Sequence, residues 1–454
     1  MKYTTLIFLL VLQSCVGFSK SFEGSWKGIL DFKTLQLTFV LHLQDDGNGN
    51  FKASADSPDQ GAYGLQASAI TKGDSIFIKA QGGVEIKGRL INDTIIESIF
   101  TQNGAKIPFM LTKQKADIDL KAKRKPQEPI EPFSYVSKEV IFSNDYEKLN
   151  FSGTLTYPKE KGKYPAVILI TGSGPQNRDE ELFGHKPFKV IADYLTKKGI
   201  VVLRYDERGV GKSQGSFENS NIADFSKDAV AAFDFLKKQD MVDRNKLGII
   251  GHSEGGLIAT LLASQALPNL SYIVSLAGPA ISIDSLMVEQ LYAVGKSEGM
   301  SPLNLEIARK INKANFAVVK SNMDSQSAYA ALLKNMGVVD QNKLNESTRK
   351  ELLSLLAPSQ RYFYRIETEQ YLKNIYIPVF AAYGSLDIQV PSTINLKSLH
   401  DNLQSNSKTQ LKEYEGLNHL FQKAETGRIS EYAKIEETFN ERVMSDISNW
   451  ILKL

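Results

Sequence analysis

Only one of the 454 residues is a cysteine, Cys15, so no disulfide can form within the chain and its stability must come from packing. Only five are histidines, which leaves few candidates for chemistry that needs an imidazole. An excess of either charge is missing too: 54 Lys and Arg against 51 Asp and Glu leave a formal charge of +3, with no dense basic run to neutralise a phosphate backbone. Nucleic acid is therefore not an expected partner. No segment reaches the roughly 18 uninterrupted apolar residues of a bilayer-crossing helix. No repeat of solenoid period is evident either.

Hydrophobic residues make up 42% of the chain, enough for real cores, and the length exceeds what one core holds, so several folding units are expected. The first of them is not structural. Residues 1–19 carry Lys2, an apolar stretch from Leu6 to Leu12 and then small residues, which reads as an export signal. Cleavage near Gly17 or Ser19 gives a periplasmic or secreted protein. "LQSC" at Leu12 to Cys15 also resembles a lipoprotein box, which makes Cys15 a possible lipid anchor to the cell envelope.

Over residues 20–113 the apolar period is two. Leu35, Leu37, Phe39, Leu41 and Leu43 alternate with Gln36, Thr38, Val40, His42 and Gln44, the pattern of a half-buried strand. "DDGNGN" (Asp45 to Asn50), "KGD" (Lys72 to Asp74) and "QNG" (Gln102 to Gly104) supply hairpin turns. The expectation is a small antiparallel β-barrel or sandwich. No aromatic cluster or charge stripe stands out in it, so its expected role is packing rather than binding. Residues 114–133 are charged and proline-bearing without clear periodicity, as a linker is.

From 134 to 454 the pattern changes to buried apolar runs alternating with helical spacing, the signature of a mostly parallel sheet flanked by helices. The runs are "PAVILITG" (Pro165 to Gly172), "GIVVLRYD" (Gly199 to Asp206), "KLGIIGHS" (Lys246 to Ser253), "YIVSLAG" (Tyr272 to Gly278) and "PVFAAYG" (Pro378 to Gly384). Phe225, Ala229, Ala232, Phe233 and Leu236 fall on one helical face. The long helix-like excursion between the fourth and fifth runs, about 280–374, is expected to form a cap over the site.

"GIIGHSEGG" (Gly248 to Gly256) puts Ser253 between Gly251 and Gly255, after a strand and before a helix. A serine so held sits on a tight turn where side chains at the flanking positions would clash, which makes it a candidate nucleophile. Serine needs a base, and the base a carboxylate to fix its tautomer. His42 lies in the first domain, and the side chain of His252, next to the serine, is expected to point elsewhere. Of His185, His400 and His419, the last follows the expected final strand, "TQLKEY" (Thr409 to Tyr414), and is the candidate base. Asp387, in the turn "YGSLD" after the fifth run, is the candidate acid at the C-terminal sheet edge. "TGSGP" (Thr171 to Pro175) reaches the same edge, so Ser173 and Glu254 are the expected backbone donors to an oxyanion. "DERGVGKS" (Asp206 to Ser213) looks like the end of a phosphate loop, but Asp206 stands where that motif needs glycine. A turn at the rim of the site is the expectation there.

"TGSGPQNRDE", "GHKPF", "VVLRYDERGVGKS", "GHSEGG", "DIQVP" and "GLNHLFQ" together resemble the α/β-hydrolase superfamily, in particular bacterial EstD-type two-domain esterases with a serine aminopeptidase-like hydrolase domain. The resemblance runs from about Tyr164 to Leu454 and is weaker, in "GSWKG" and "SPDQG", before it. It implies Ser253, Asp387 and His419 as a triad, with Ser173 and Glu254 donating to the oxyanion. The expected activity is hydrolysis of a small-molecule carboxylic ester without a cofactor or metal, the alternative being a peptidase or aminopeptidase with the same triad. Acyl length and oligomeric state stay open.

Overall fold

Period-two patterning governs the first ninety or so residues of the computed structural model, which describes residues 21–32, 36–46, 50–58, 62–80, 83–102, 105–114, 124–340, 344 and 346–454. The expected export signal over 1–19, with Cys15, lies outside the described residues. Strands β1 (Gly24–Asp31), β2 (Gln36–Asp45), β3 (Asn50–Ser57), β4 (Ala62–Lys72), β5 (Ser75–Ala80), β6 (Val84–Asn92), β7 (Ile95–Gln102) and β8 (Ala105–Lys113) form a closed antiparallel barrel. Leu37, Phe39, Leu41 and Leu43 of β2 are all buried, as their alternation requires. Between barrel and sandwich, closure decides: β1 pairs back onto β8 through Trp26 opposite Lys113, which leaves no free sheet edge. Gly73 takes φ of 59° in the Lys72–Asp74 turn, while the tips of the other two expected turns fall at 47–49 and 103–104, outside the described residues.

The five apolar runs become β11 (Tyr164–Ile170), β12 (Val201–Tyr205), β13 (Val242–His252), β14 (Tyr272–Leu276) and β15 (Val379–Gly384), followed by β16 (Gln410–Tyr414). With β9 (Val136–Asn144) and β10 (Leu149–Tyr157) they make an eight-stranded sheet in the order β16-β15-β14-β13-β11-β12-β10-β9. Its β9 and β10 pair antiparallel, whereas β11 to β16 run parallel. Every residue of β12, β14 and β15 is buried, because helices cover both faces of a parallel sheet. The periodic stretch around Phe233 forms helix Ile222–Lys237, opened by a capping box between Asn221 and Asp224. Its Ala229, Ala232, Phe233 and Leu236 are buried against the sheet, and a buried Phe or Leu contributes about 1.5–3 kcal/mol.

Between β14 and β15 the described chain is helical throughout, over Ile283–Ser297, Pro302–Lys320, Ser325–Asn335, Glu346–Leu355, Pro358–Tyr364 and Thr368–Leu372. Arg361 ties two of these helices together by donating to the Val319 and Ser321 carbonyls, at 3.0 and 2.5 Å, at the C-terminal end of the longest one. Asp206 to Ser213 is a rim turn: Ser213 donates to the Asp206 carbonyl at 2.7 Å, and Arg208 forks onto Asp228 at 2.6 and 2.8 Å.

The segment expected as a linker is anchored at its C-terminal end. Lys125 Nζ donates to the carbonyls of Ala433 and Ile435 at 3.0 and 2.6 Å, and Gln127 exchanges hydrogen bonds with the backbone of Thr438 and Phe439. Polar side chains that satisfy loop carbonyls act as structure, although their composition is that of a tether. Among the described residues no helix is long and apolar enough to cross a membrane.

Candidate active site

Strand β13 ends at His252 and a helix spans Glu254–Ser264, so Ser253 is the single residue between them. Its backbone is forced to φ 52°, a left-handed conformation that costs a non-glycine residue of order 1–3 kcal/mol and persists only where the surroundings impose it. The surroundings here are backbone. A Cβ on Gly251 would lie 2.0 Å from the Gly255 carbonyl oxygen, and one on Gly255 would lie 2.1 Å from the Ile170 oxygen. Glycine at both positions lets strand, turn and helix pass within touching distance, and the Ser253 N–H is spent on the Leu276 carbonyl at 2.8 Å.

Ser253 lines a cleft of about 410 Å³ together with Ser173, Gly174 and Glu254, and Leu286, Met287 and Phe363 of the helical insertion form the facing wall. Glu254 is the first residue of its helix, so its N–H has no acceptor within the helix and is free to donate into the cleft. Ser173 sits in the loop after β11. The two expected oxyanion donors thus flank the same opening as the serine.

His419 and Asp387 meet as a buried pair, with His419 Nδ1 2.8 Å from Asp387 Oδ2. The other oxygen, Oδ1, accepts the backbone N–H groups of Gln389 and Val390, both at 2.8 Å, which fixes the carboxylate's direction. A proton held on Nδ1 by this carboxylate leaves Nε2 as the basic nitrogen. No hydrogen bond joins the Ser253 hydroxyl to the His419 ring in this structure. The His419 ring packs instead on that of His252, the residue before Ser253, with centroids 4.8 Å apart.

His252 belongs to a second carboxylate–imidazole pair. Its side chain, expected to point away from the serine, makes no hydrogen bond to it and turns inward: Nδ1 lies 2.8 Å from Glu180 Oε1 and Nε2 lies 3.0 Å from the carbonyl oxygen of His419. Burial by itself lowers the His252 pKa. The charge and hydrogen bond of Glu180, with the His419 carbonyl, outweigh it and raise the pKa above the ordinary histidine value. The same Glu180 oxygen accepts the Gly172 N–H at 2.7 Å, so one carboxylate holds the loop of the candidate oxyanion donor directly and, through His252, the backbone of the candidate base. Glu207 braces that loop from the other side, accepting from the Thr171 hydroxyl and, at 3.0 Å, from the Gln176 N–H. Burial pushes its carboxyl well above the usual range. The available signal for Glu180 was its place in "NRDE", one short loop beyond the sheet edge that carries the serine.

The remaining histidines lie elsewhere. His185 is buried between Thr438 and the Tyr432 carbonyl, both at 2.9 Å, and burial lowers its pKa to about 4. His400 is exposed beside Asp401. His42 stands between Ser25 and Asp56, at 2.8 and 2.9 Å, on three adjacent barrel strands. This array repeats the residue types of a triad, but Ser25 is the second residue of β1, paired opposite His42, where the backbone is engaged in the sheet ladder rather than arranged as an oxyanion hole.

The family described as serine aminopeptidase, S33, matches residues 186–425. Esterase EstD of Thermotoga maritima is 27% identical over 324 residues, covering 70% of this chain and 69% of that protein. The mitochondrial palmitoyl-protein thioesterase ABHD10 of Bos taurus is 27% identical over 135 residues, covering 30% of this chain and 39% of its own. Among solved structures, Est1E of Butyrivibrio proteoclasticus with bound ferulic acid is 19% identical with a TM-score of 0.42, covering 69% of this chain and 98% of that one.

Two outcomes are expected from this arrangement. Glu180→Gln leaves the buried His252 without its counter-charge, at a cost of about 3–5 kcal/mol near pH 6. A raised folded pKa stabilises fully below the unfolded value and loses that contribution as pH rises through the folded one, so the cost is smaller at pH 9. Urea midpoints at the two pH values measure the difference, and equal losses at both would reject the ion-pair account. Loss of hydration pushes the half-buried Glu254 carboxyl up to about 7, so it is neutral below that pH and charged above it, beside the oxyanion donors. Glu254→Gln is therefore expected to match the parent kcat/KM at pH 6 and exceed it roughly 3–10-fold above pH 8. Parallel pH–rate profiles would refute the charge effect.

Proposed function

Because the chain belongs to the serine aminopeptidase S33 family and has the α/β-hydrolase fold, we propose that it hydrolyses carboxylic esters by a Ser253–His419–Asp387 relay. The observation that carries the reading is the buried His419–Asp387 pair at 2.8 Å, packed on the ring of His252, the residue before a serine held on a strained strand-to-helix turn. His419 Nε2 takes the Ser253 proton as Oγ attacks the ester carbonyl. The negative charge that develops on the carbonyl oxygen is received by the N–H groups of Ser173 and Glu254. His419 returns the proton to the leaving alkoxide, the acyl group stays on Ser253, and the same imidazole then activates water against the acyl-enzyme.

The family description favours a second reading, cleavage of an aminoacyl amide by the same residues. The two differ in the leaving group that His419 must protonate, an alkoxide or an amine, and in what the cleft binds. The same proposal includes export: the apolar stretch Leu6 to Leu12 before small residues supports a cleaved signal, with lipidation at Cys15 as the other form.

Matched p-nitrophenyl acyl esters and aminoacyl p-nitroanilides test the reading. Esters are expected to show the higher kcat/KM, and Ser253→Ala to lower kcat roughly 10⁴–10⁶-fold and abolish fluorophosphonate labelling. Faster anilide turnover would favour the peptidase, and a Ser253→Ala variant at parent rate would end both readings. Mass spectrometry of the mature N-terminus is expected to start it after residue 14; an intact residue 1 would reject export.

A further inference from the structure

The barrel is closed at one end and open at the other. At the closed end Trp26 is fully buried, donating to the Phe22 carbonyl at 2.7 Å, with the Lys113 ammonium 5.2 Å from its ring centroid. At the open end Phe32, Leu37, Phe39, Leu65 and Phe100 surround a cavity of about 910 Å³. Phe100 meets Phe32 and Phe39 edge to face, with centroids at 6.3 and 6.1 Å, so the rim is an aromatic cluster drawn from strands far apart in the chain. An eight-stranded barrel is wide enough to hold one small ligand, and the volume falls in the range of about 300–1,000 Å³ found for small-molecule sites.

This mouth opens toward the candidate active site. Pro175, Gly209 and the loop from Gly215 to Glu218 complete the cavity from the α/β domain. Phe217 and Glu218 also line the Ser253 cleft, and the cleft's Ser173 and Gly174 lead directly into Pro175. A molecule with its carbonyl at Ser253 therefore has an apolar chamber next door. Glu218 is the one charged side chain among the described lining residues. A chamber whose described lining has no cation and a carboxylate at its neck disfavours an anionic head and admits a neutral aliphatic tail.

We propose that the open end of the β-barrel is the subsite for the unbranched aliphatic chain of the ester whose carbonyl is attacked at Ser253. The inference rests on the esterase reading and gives it a substrate class, neutral long-chain esters. Each methylene taken out of water strengthens binding about fourfold, so kcat/KM is expected to climb with chain length while the chamber fills. The chain arrives from either side of the ester: the acyl side, as in p-nitrophenyl dodecanoate, or the alcohol side, as in dodecyl acetate.

The test uses the full-length protein. Leu65→Arg puts a charge at the partly exposed rim, and Phe32→Gln removes one aromatic from it without adding charge. With circular dichroism showing the parent fold for at least one variant, kcat/KM for p-nitrophenyl dodecanoate, dodecyl acetate or both is expected to fall at least about tenfold, while p-nitrophenyl acetate stays within about twofold. Independently of turnover, Ser253→Ala is titrated with the neutral apolar dye N-phenyl-1-naphthylamine. Displacement of the dye by dodecyl acetate is expected, and its loss when Leu65→Arg or Phe32→Gln is added. Unchanged rates on both long esters, or dye binding unaffected by the rim substitutions, would overturn the proposal. A catalytically active Ser253→Ala would instead sink the relay and leave the dye titration to judge the chamber alone.

Discussion

The contact on which the rest of the site depends is one of backbone on backbone. The strand before Ser253, the helix after it and the end of the neighbouring strand approach so closely that two positions, Gly251 and Gly255, have no room for a Cβ. That crowding holds Ser253 at a positive φ and presents its hydroxyl at the C-terminal edge of the sheet. The parallel strands on either side then bring the remaining groups to the same edge: Asp387 after β15, His419 after β16 and the Ser173 loop after β11. A sheet whose strands run parallel gathers on one rim residues more than two hundred positions apart.

Around that rim the protein keeps several carboxyl groups out of water and gives each a different task. Asp387 orients His419, Glu180 holds His252 and the loop after β11 together, and Glu207 braces that loop's far side. Each is satisfied by backbone N–H groups as well as by side chains. A buried carboxyl without such donors would be a source of instability, whereas one that joins two loops fixes their relative position. The candidate base and the loop of the candidate oxyanion donor Ser173 are thus coupled through Glu180 and His252.

The parts legible from the sequence were those written in local pattern. The five apolar runs and the last strand appear where their composition puts them, and Ser253, Asp387 and His419 stand out by chain order and by the turns that follow strands. What was not legible depends on tertiary approach. The inward turn of His252 follows from Glu180 across 72 positions, which no local spacing reveals. Barrel rather than sandwich is decided by pairing between the first and eighth strands, since both folds share one alternation. The aromatic rim went unseen because Phe32, Phe39 and Phe100 become neighbours only when the barrel closes. Conversely, Lys125 and Gln127 lie in a stretch with the composition of a tether, yet their side chains are structural.

Those two residues also impose an order on assembly. The partners of Lys125 and Gln127 lie 308 to 312 positions downstream, almost at the end of the chain. While the polypeptide is being made, the barrel can finish its own ladder as soon as its last strand emerges. The clasp between residue 125 and residue 435 must wait until the 310 positions between them have been made, and contacts of such long separation form slowly. The barrel ladder is complete within residues 24–113, so removing Ala433 to Phe439 takes away the fastening and leaves every strand pairing of the barrel in place.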